Sequence, residues 1–183
     1  MKATGIVRRI DDLGRVVIPK EIRRTMRIRE GDPLEIYTSV GGEVIFKKYS
    51  PIGELTTFAS QYADTLYKTC NLEVLICDRD AVIAVAGVSK KEYMDKPLSS
   101  ELDEIMQGRS IYRSAEDGSL IYPTTDGGDN FIRCAMPIIS EGDVIGCVVA
   151  LSNSEKKKET GSIDVEAKLI MTAASFLGKQ MES

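Results

Sequence analysis

The chain has 183 residues, 43% apolar and 28% charged, which is typical of a globular protein of one large or two small domains. It contains no histidine, which excludes an imidazole base, a Ser–His or Cys–His nucleophile pair and a histidine-ligated metal or haem. No apolar run approaches the roughly 20 residues that span a bilayer, and the N-terminus lacks the apolar core of a signal peptide. We therefore expect a cytoplasmic protein without enzyme activity, cofactor or metal.

The cysteines give no sign of a metal or redox site. Their spacing contains no C-x-x-C motif, which argues against zinc and against a dithiol. Apolar neighbours predict small buried side chains in a reducing compartment. The alternative to buried structural cysteines is a cysteine-based reductase, and reactive thiols would support that function. The four residues are Cys70, Cys77, Cys134 and Cys147.

Charge divides the chain into two modules of opposite sign. Residues 1–50 carry eleven basic and seven acidic side chains, a net charge of +4, whereas residues 51–183 have a net charge of −8. The pattern predicts a basic domain over 1–50 and an acidic domain over 51–183. A basic domain has the charge expected of a polyanion-binding module.

Short strands around one short helix are predicted for residues 1–50. Thr4–Ile10 is an extended segment, and the Asp11–Gly14 turn returns the chain to a second strand over 15–18. A helix begins at Pro19, with Ile22 and Met26 pointing inward. The strands 34–38 and 43–47 form a hairpin through Gly41-Gly42. Because fifty such residues bury little apolar surface, a dimer is the expected stable unit.

Residues 51–183 alternate between helical and strand patterns. Ser50 and Pro51 favour the start of a helix over 52–70. The later elements are strands over 74–77 and 81–85, a helix over 99–107, a polar loop over 108–130, strands over 131–139 and 144–151, and a helix over 163–181. Together they predict an α+β domain with an antiparallel sheet and flanking helices.

The final helix carries a coiled-coil-like apolar seam, with Ser162 as its candidate N-cap. Either the domain's own sheet or the same helix of another chain explains this seam, and the second case predicts a homotetramer through C-terminal helices. The seam residues are Ile163, Ala167, Ile170, Ala174, Leu177 and Met181.

The first domain is rich in arginine, whose planar, permanently charged fork suits phosphate oxygens and guanine edges. With Ile22 and Met26 inward, Arg23, Arg24 and Arg27 lie on the solvated sides of the helix. The alternative is a basic face that binds nothing and is partly paired with nearby carboxylates. The cations are Arg8, Arg9, Arg15, Arg23, Arg24 and Arg27; the carboxylates are Asp11, Asp12, Glu21 and Glu30.

A family resemblance rests on these same residues. Thr4–Arg24 combines a strand, the Asp11–Gly14 turn, Ile18-Pro19 and the pair Arg23-Arg24 in register, and so closely resembles the DNA-binding domain of the AbrB family of transition-state regulators. The resemblance implies an intertwined swapped-hairpin β-barrel homodimer on double-stranded DNA. It implies DNA contacts through four positions, with two additions on weaker grounds: Arg8, Arg15, Arg23 and Arg24, then Arg9 and Lys20.

The acidic domain is similar to GAF domains. Pro137–Ile139 followed by Asp143–Val149 resembles the penultimate hairpin of that superfamily. The whole chain resembles those AbrB-family regulators that carry a C-terminal GAF-like domain. This resemblance implies a nucleoid-associated regulator of sporulation genes in the forespore, repressing some promoters and activating others. The alternative function is an antitoxin, because related swapped-hairpin domains serve in toxin–antitoxin pairs.

The loop over 108–130 is the candidate site for a small polar ligand, because GAF-like domains often bind molecules beside such an insertion. The alternative is a surface loop without a ligand. The polar residues that favour a site are Tyr112, Arg113, Tyr122, Thr124, Thr125, Asp126, Asn130 and Arg133.

Overall fold

The computed structural model describes residues 4–50, 52, 56–114, 119–153 and 162–182. The chain divides into two compact units, Met1–Tyr49 and Ser50–Ser183. Within the described residues, no helix combines the length and apolarity needed to cross a membrane.

The N-terminal unit contains one short helix and one hairpin. Helix α1 spans Lys20–Thr25, so it begins one residue after the predicted start at Pro19, which occupies the N-cap position. Strands β1, Leu34–Thr38, and β2, Val44–Lys48, pair antiparallel. Gly42, at φ 81°, turns the chain between them in a conformation that glycine adopts without strain. The predicted hairpin is confirmed.

The predicted strands over 4–10 and 15–18 do not form within this single chain. The turn between them does form, since Gly14 donates its backbone N–H to Asp11 O at 3.0 Å. A strand exists through its pairing, and nothing in the described part of the chain pairs with these segments. Their apolar side chains are correspondingly exposed, by 88% for Val7 and 71% for Val17.

Met26 is also more exposed than predicted. Its side chain is 58% accessible, whereas Ile22 is half-buried. Helix α1 has six residues and none of them is buried, so no apolar layer from the described part of the chain lies over Met26. The expectation of an inward-facing Met26 is therefore wrong for the single chain.

An antiparallel sheet in the order β4-β3-β7-β6-β5 is the centre of the C-terminal unit. Its central pair, β6 and β7, has ten residues in each strand. The strands are β3 (Val74–Cys77), β4 (Val82–Ala86), β5 (Tyr112–Arg113), β6 (Phe131–Ser140) and β7 (Asp143–Ser152). The structure confirms the two predicted hairpins and the α+β class.

Helices cover both faces of this sheet. Because side chains alternate along a strand, Val74 and Ile76 join one apolar core, with Ala63 and Ile170, whereas Leu75 joins a second core on the opposite face. The helices are α2 (Thr56–Cys70), α3 (Lys90–Tyr93), α4 (Ser100–Gln107) and α5 (Ile163–Gln180). Helices α2 and α5 contribute to the first core, and α3 and α4 to the second.

The ends of these helices agree with the prediction where they are described. Helix α2 ends at Cys70 as expected, whereas the predicted start at Ser50-Pro51 concerns residues 51 and 53–55, which lie outside the described residues. Ser99 caps α4, because its side chain accepts a hydrogen bond from Leu102 N. Ser162 occupies the N-cap position of α5 without such a bond.

The apolar seam of α5 packs on its own sheet. Ala167, Ile170, Ala174 and Leu177 are buried in the first core. Gly178 lies so close to β6 that a Cβ built on it would be 2.2 Å from Ile139 O. The domain's own sheet therefore accounts for the seam, which is not available to a helix of another chain.

Candidate nucleic-acid interface

The turn at residues 11–15 holds Arg15 in place. Asp11 Oδ1 accepts hydrogen bonds from the backbone N–H groups of Leu13 (3.1 Å) and Arg15 (2.7 Å), and Asp11 Oδ2 accepts one from Arg15 Nε (2.8 Å). Donation from the Arg15 backbone and then from its guanidinium lowers the pKa of Asp11 below its usual value. The Arg15 side chain is 69% exposed, so most of its fork still faces solvent. The turn thus presents one oriented guanidinium.

Helix α1 presents three further cations. Lys20, Arg23 and Arg24 are all exposed. Lys20 and Arg24 are four residues apart on one side of the helix, where they line a cavity of about 360 Å³ together with Glu21 and Thr25. The predicted solvated position of Arg23 and Arg24 on the helix is confirmed, whereas Arg27 is exposed beyond the end of α1.

Arg8 and Arg9 lie on the extended segment before the turn, and both are exposed. Because side chains alternate in an extended chain, we expect neighbouring residues to point to opposite sides of it. We therefore expect Arg8 and Arg9 to reach different parts of a bound polyanion.

The nearby carboxylates neutralise little of this surface. Of Asp11, Asp12, Glu21 and Glu30, only Asp11 forms an ion pair with one of these cations in the part of the chain that the structure describes. The basic face is thus largely unneutralised within the N-terminal unit, and its charge is available to a polyanion.

A second candidate site lies in the C-terminal unit. Four of the predicted ligand residues, Tyr122, Thr124, Thr125 and Asp126, line a cavity of about 420 Å³. Sequence reasoning missed three other parts of its lining: residues 99–101 at the start of α4, residues 120–121 before Tyr122, and residues 127–129 after Asp126. Two signals in the sequence could have found the first and the last of these parts: a serine at the start of the predicted helix, Ser99, and the glycine pair Gly127-Gly128.

The remaining predicted ligand residues are engaged elsewhere. Arg133 Nε donates to Glu166 Oε2 of α5 at 2.5 Å in a pair whose side chains are 12% and 6% exposed. Arg113 Nε lies 3.8 Å from Asp164 Oδ1 of α5 and forms an ion pair with it. Tyr112 packs against the second core. These three residues do not line the cavity.

Asn130 links the cavity loop to the body of the unit. Its side chain donates to Glu73 Oε2 and accepts from Tyr93 Oη, both at 3.2 Å. Burial raises the pKa of Tyr93, so this phenol stays protonated and able to donate. Asn130, which the sequence predicted to contact a ligand, is thus hydrogen-bonded to Tyr93 and to Glu73.

The thiols divide into three that are buried and one that is exposed. Burial raises the pKa of Cys134 to about 12 and also raises the pKa of Cys77 and Cys147, which disfavours the nucleophilic thiolate. Cys70, predicted to be buried, is exposed at the end of α2, because the apolar face of that helix stops at Leu66. Among the described residues, no cluster of three or more potential metal ligands occurs.

Comparison with known proteins gives each unit a relative. Residues 54–182 match the family profile "Stage V sporulation protein T C-terminal, transcription factor", and residues 7–53 match "Antidote-toxin recognition MazE, bacterial antitoxin". The chain is 54% identical over 182 residues to stage V sporulation protein T of Bacillus subtilis, covering 100% of this chain and 99% of the relative. It is 61% identical over 51 residues to transition state regulatory protein AbrB of the same organism, covering 28% of this chain and 52% of AbrB.

Solved structures are similar to parts of the chain. The N-terminal DNA recognition domain of Bacillus subtilis AbrB is 61% identical, with a TM-score of 0.25, and the match covers 28% of this chain and 94% of that one. The cofactor-binding GAF domain of CodY from Clostridium difficile is 15% identical, with a TM-score of 0.44, and the match covers 67% and 83%.

The exposed basic unit and the folded α+β unit, taken with these sequence matches, define a two-domain transcription regulator with an AbrB-type N-terminal domain. The full-length match and the family profile then identify its family. The chain belongs to the stage V sporulation protein T family and is a transcription regulator of sporulation.

Proposed function

We propose that the N-terminal unit binds double-stranded DNA through Arg8, Arg15, Arg23 and Arg24, with further contacts from Arg9 and Lys20. The observation that carries this proposal is the exposure of all six cations on a unit with a net charge of +4. The 61% identity to a structure described as a DNA recognition domain supports it. Phosphate contacts supply most of the affinity, and DNA shape contributes to selectivity.

The N-terminal unit acts as a homodimer of swapped hairpins. Four apolar side chains in and beside the 11–15 turn, Val7, Ile10, Leu13 and Val17, are 69–88% exposed in the single chain. Pairing of these segments with a second copy would satisfy their backbone groups and cover this apolar surface. A species at the monomer mass of 20.1 kDa in light scattering would contradict this proposal.

The C-terminal helices join two such dimers into a tetramer through a surface other than the α5 seam. Phe58, Tyr62 and Phe176 form an aromatic cluster between α2 and α5, with ring centroids 5.6–6.4 Å apart. Phe176 remains 39% exposed. We expect Phe176→Ser to convert a tetramer to a dimer in light scattering, while Lys168→Ser, at an exposed position of the same helix, leaves the assembly unchanged.

The functional boundary lies at residues 50/51, so that 1–50 recognises DNA and 51–183 controls assembly and senses a signal. The sensed molecule is a small polar ligand in the 420 Å³ cavity, a volume in the usual range of ligand sites. In the cell, we place the protein in the cytoplasm, on the nucleoid of the forespore. There it represses some promoters and activates others.

Fluorescence anisotropy with labelled duplex DNA tests the central proposal. Full-length protein is titrated at about 50 to 200 mM salt, where phosphate binding gives a steep fall of affinity with salt. Negligible binding at the lowest salt would overturn the DNA-binding role. Co-purification of a small partner protein under those conditions would favour the antitoxin alternative, which the match to the MazE profile suggests for residues 7–53 alone.

A further inference from the structure

Asp11 uses all four of its polar atoms within the turn at residues 11–15. Its side-chain Oδ1 accepts hydrogen bonds from Leu13 N and Arg15 N, and its backbone N–H donates to Arg15 O at 3.0 Å. Its backbone oxygen accepts from Gly14 N at 3.0 Å. The remaining atom, Oδ2, accepts from Arg15 Nε at 2.8 Å. One residue therefore fixes both the backbone of Arg15 and the direction of its side chain.

The terminal nitrogens of Arg15 are left available by this arrangement. Nε is bound to Asp11, and within the described residues no other hydrogen bond or ion pair involves this side chain. The side chain is 69% exposed, so Nη1 and Nη2 can reach a bound molecule. Their N–H groups form a planar fork that matches two acceptors lying side by side. Arg15 thus presents a fork of fixed direction.

The other cations of the proposed interface lack such a partner. Those without a carboxylate partner in the part of the chain that the structure describes are Arg8, Arg9, Lys20, Arg23 and Arg24. They keep the full positive charge from which phosphate binding gains. The Asp11 carboxylate offsets the charge of Arg15 and would repel a phosphate held beside it. An uncharged acceptor with two directional sites therefore suits Arg15 better than a phosphate does.

Guanine presents such an acceptor in the major groove of DNA. Its N7 and O6 lie side by side on an uncharged base edge, and arginine binds them through two hydrogen bonds. An arginine that is free in solution loses rotamer freedom on binding, which lowers its affinity. Because Asp11 already restricts Arg15, part of that freedom is lost on folding, before DNA binds.

We propose that Asp11 is a positioning residue, which holds the Arg15 guanidinium for paired hydrogen bonds to N7 and O6 of one guanine. The inference deepens the proposed DNA-binding role of the N-terminal unit and rests on it. It makes Arg15 a determinant of sequence selectivity, whereas the cations without a carboxylate partner supply affinity for DNA of any sequence. In the proposed homodimer, the two copies of Arg15 read two guanines.

Modified duplexes test the guanine contact in the full-length protein. Repeated selection from a random duplex library supplies a preferred sequence. Anisotropy then compares this duplex with copies in which one guanine is replaced by 7-deazaguanine, which pairs normally but lacks N7. We expect at least one replacement to weaken binding of the parent roughly fivefold or more. Equal binding to every modified duplex would overturn the inference alone, whereas a parent that binds no duplex would overturn the DNA-binding role itself.

The substitution Asp11→Asn separates positioning from charge. Asparagine keeps Oδ1 for the two backbone N–H groups of the turn, but its amide nitrogen replaces Oδ2 and cannot accept from Arg15 Nε. We expect selectivity, the ratio of the association constants for the preferred and a scrambled duplex, to fall roughly twofold to tenfold for each Arg15. Asp12→Asn removes the same charge from the adjacent exposed residue and is the control. An equal fall in both variants, or in neither, would refute the assignment.

A double-mutant cycle determines whether Asp11 acts through Arg15. We expect Arg15→Ala to abolish the effect of 7-deazaguanine at the sensitive position. Adding Asp11→Asn to that protein should then leave selectivity unchanged, because the side chain that Asp11 positions is gone. A 7-deazaguanine effect that persists in Arg15→Ala, or a further fall of selectivity in the double variant, would contradict the proposal.

The contact itself is measurable in the parent protein without DNA, which covers the case in which Asp11→Asn does not fold. An Nε–H group bound to a carboxylate exchanges with water more slowly than a solvated one. We expect the NMR signal of Arg15 Nε–H to exchange more slowly than those of Arg23 and Arg24. Exchange at the same rate in all three would show that Asp11 does not hold Arg15.

Discussion

The double substitution Arg23→Ala and Arg24→Ala gives the sharpest test of the basic face. Both side chains are exposed, and alanine favours a helix at least as well as arginine does. We therefore expect the free energy of unfolding to change by no more than about 0.5 kcal/mol. In the proposed dimer the change removes four cations from the DNA-binding surface.

Counterion release gives the size of the effect on DNA binding. Each phosphate contact contributes about 0.9 to the slope of log K against log salt, so four contacts account for a slope change of at most about 3.6. At about 0.1 M salt, the association constant of the variant for DNA is therefore lower than that of the parent by at most roughly 3.6 decades. Anisotropy titrations at several salt concentrations measure both the slope and the affinity. Because these contacts are to phosphate, the loss applies to all DNA sequences.

Lys90→Ala with Lys91→Ala is the matched control. It removes the same charge from an exposed part of the C-terminal unit. We expect its salt slope to equal that of the parent. An unchanged slope in the Arg23/Arg24 variant, or an equal loss in the lysine variant, would refute the placement of the interface on α1. Loss of folding in the Arg23/Arg24 variant would show that these side chains are not solvated in the assembled protein.

Three other predictions concern the two units separately. A thiol reagent at neutral pH is expected to label one cysteine, Cys70, quickly and the three buried thiols slowly; a second fast thiol would contradict the described burial. Ile170→Ala, at a fully buried position, is expected to lower the free energy of unfolding in denaturant by about 2–5 kcal/mol. Val165→Ala, at a position that is 56% exposed, is its control and stays within about 0.5 kcal/mol. Because Arg15 lowers the pKa of Asp11, the carboxylate stabilises the turn above its ordinary pKa, and that contribution is lost as the pH falls through the lowered value. An NMR titration that puts this pKa at or above 3.8 would contradict the hydrogen bonds of the turn.

Local sequence patterns predicted most elements whose partners lie within the chain. Gly41-Gly42 between two alternating segments was enough to predict the β1–β2 hairpin, because the turn and its strands are adjacent in sequence. The apolar spacing of α5 likewise predicted both the helix and the face that it buries. In these cases the interactions that form the element are local, or depend only on which side is apolar.

The failures concern residues whose surroundings come from distant or separate parts of the protein. Val7 and Met26 belong to segments that find no partner within the described chain, so their apolar character did not lead to burial. Arg133 was placed at a ligand site, but its partner Glu166 lies 33 residues further along the chain. Thr124 was named among the ligand candidates, yet only the three-dimensional structure shows that its hydroxyl is buried without a hydrogen-bond partner among the described residues.

The close approach of Gly178 to Ile139 fixes how α5 can move. Sliding α5 along the sheet by one turn would bring Ala174 to this point, where even a methyl group overlaps a backbone carbonyl. Small helix shifts are a common way to transmit a signal, but this contact rules out axial translation in the observed packing. Any rearrangement of α5 that keeps this contact must therefore tilt or rotate about Gly178. Because Gly178 lies near the C-terminal end of the helix, the N-terminal end would move furthest.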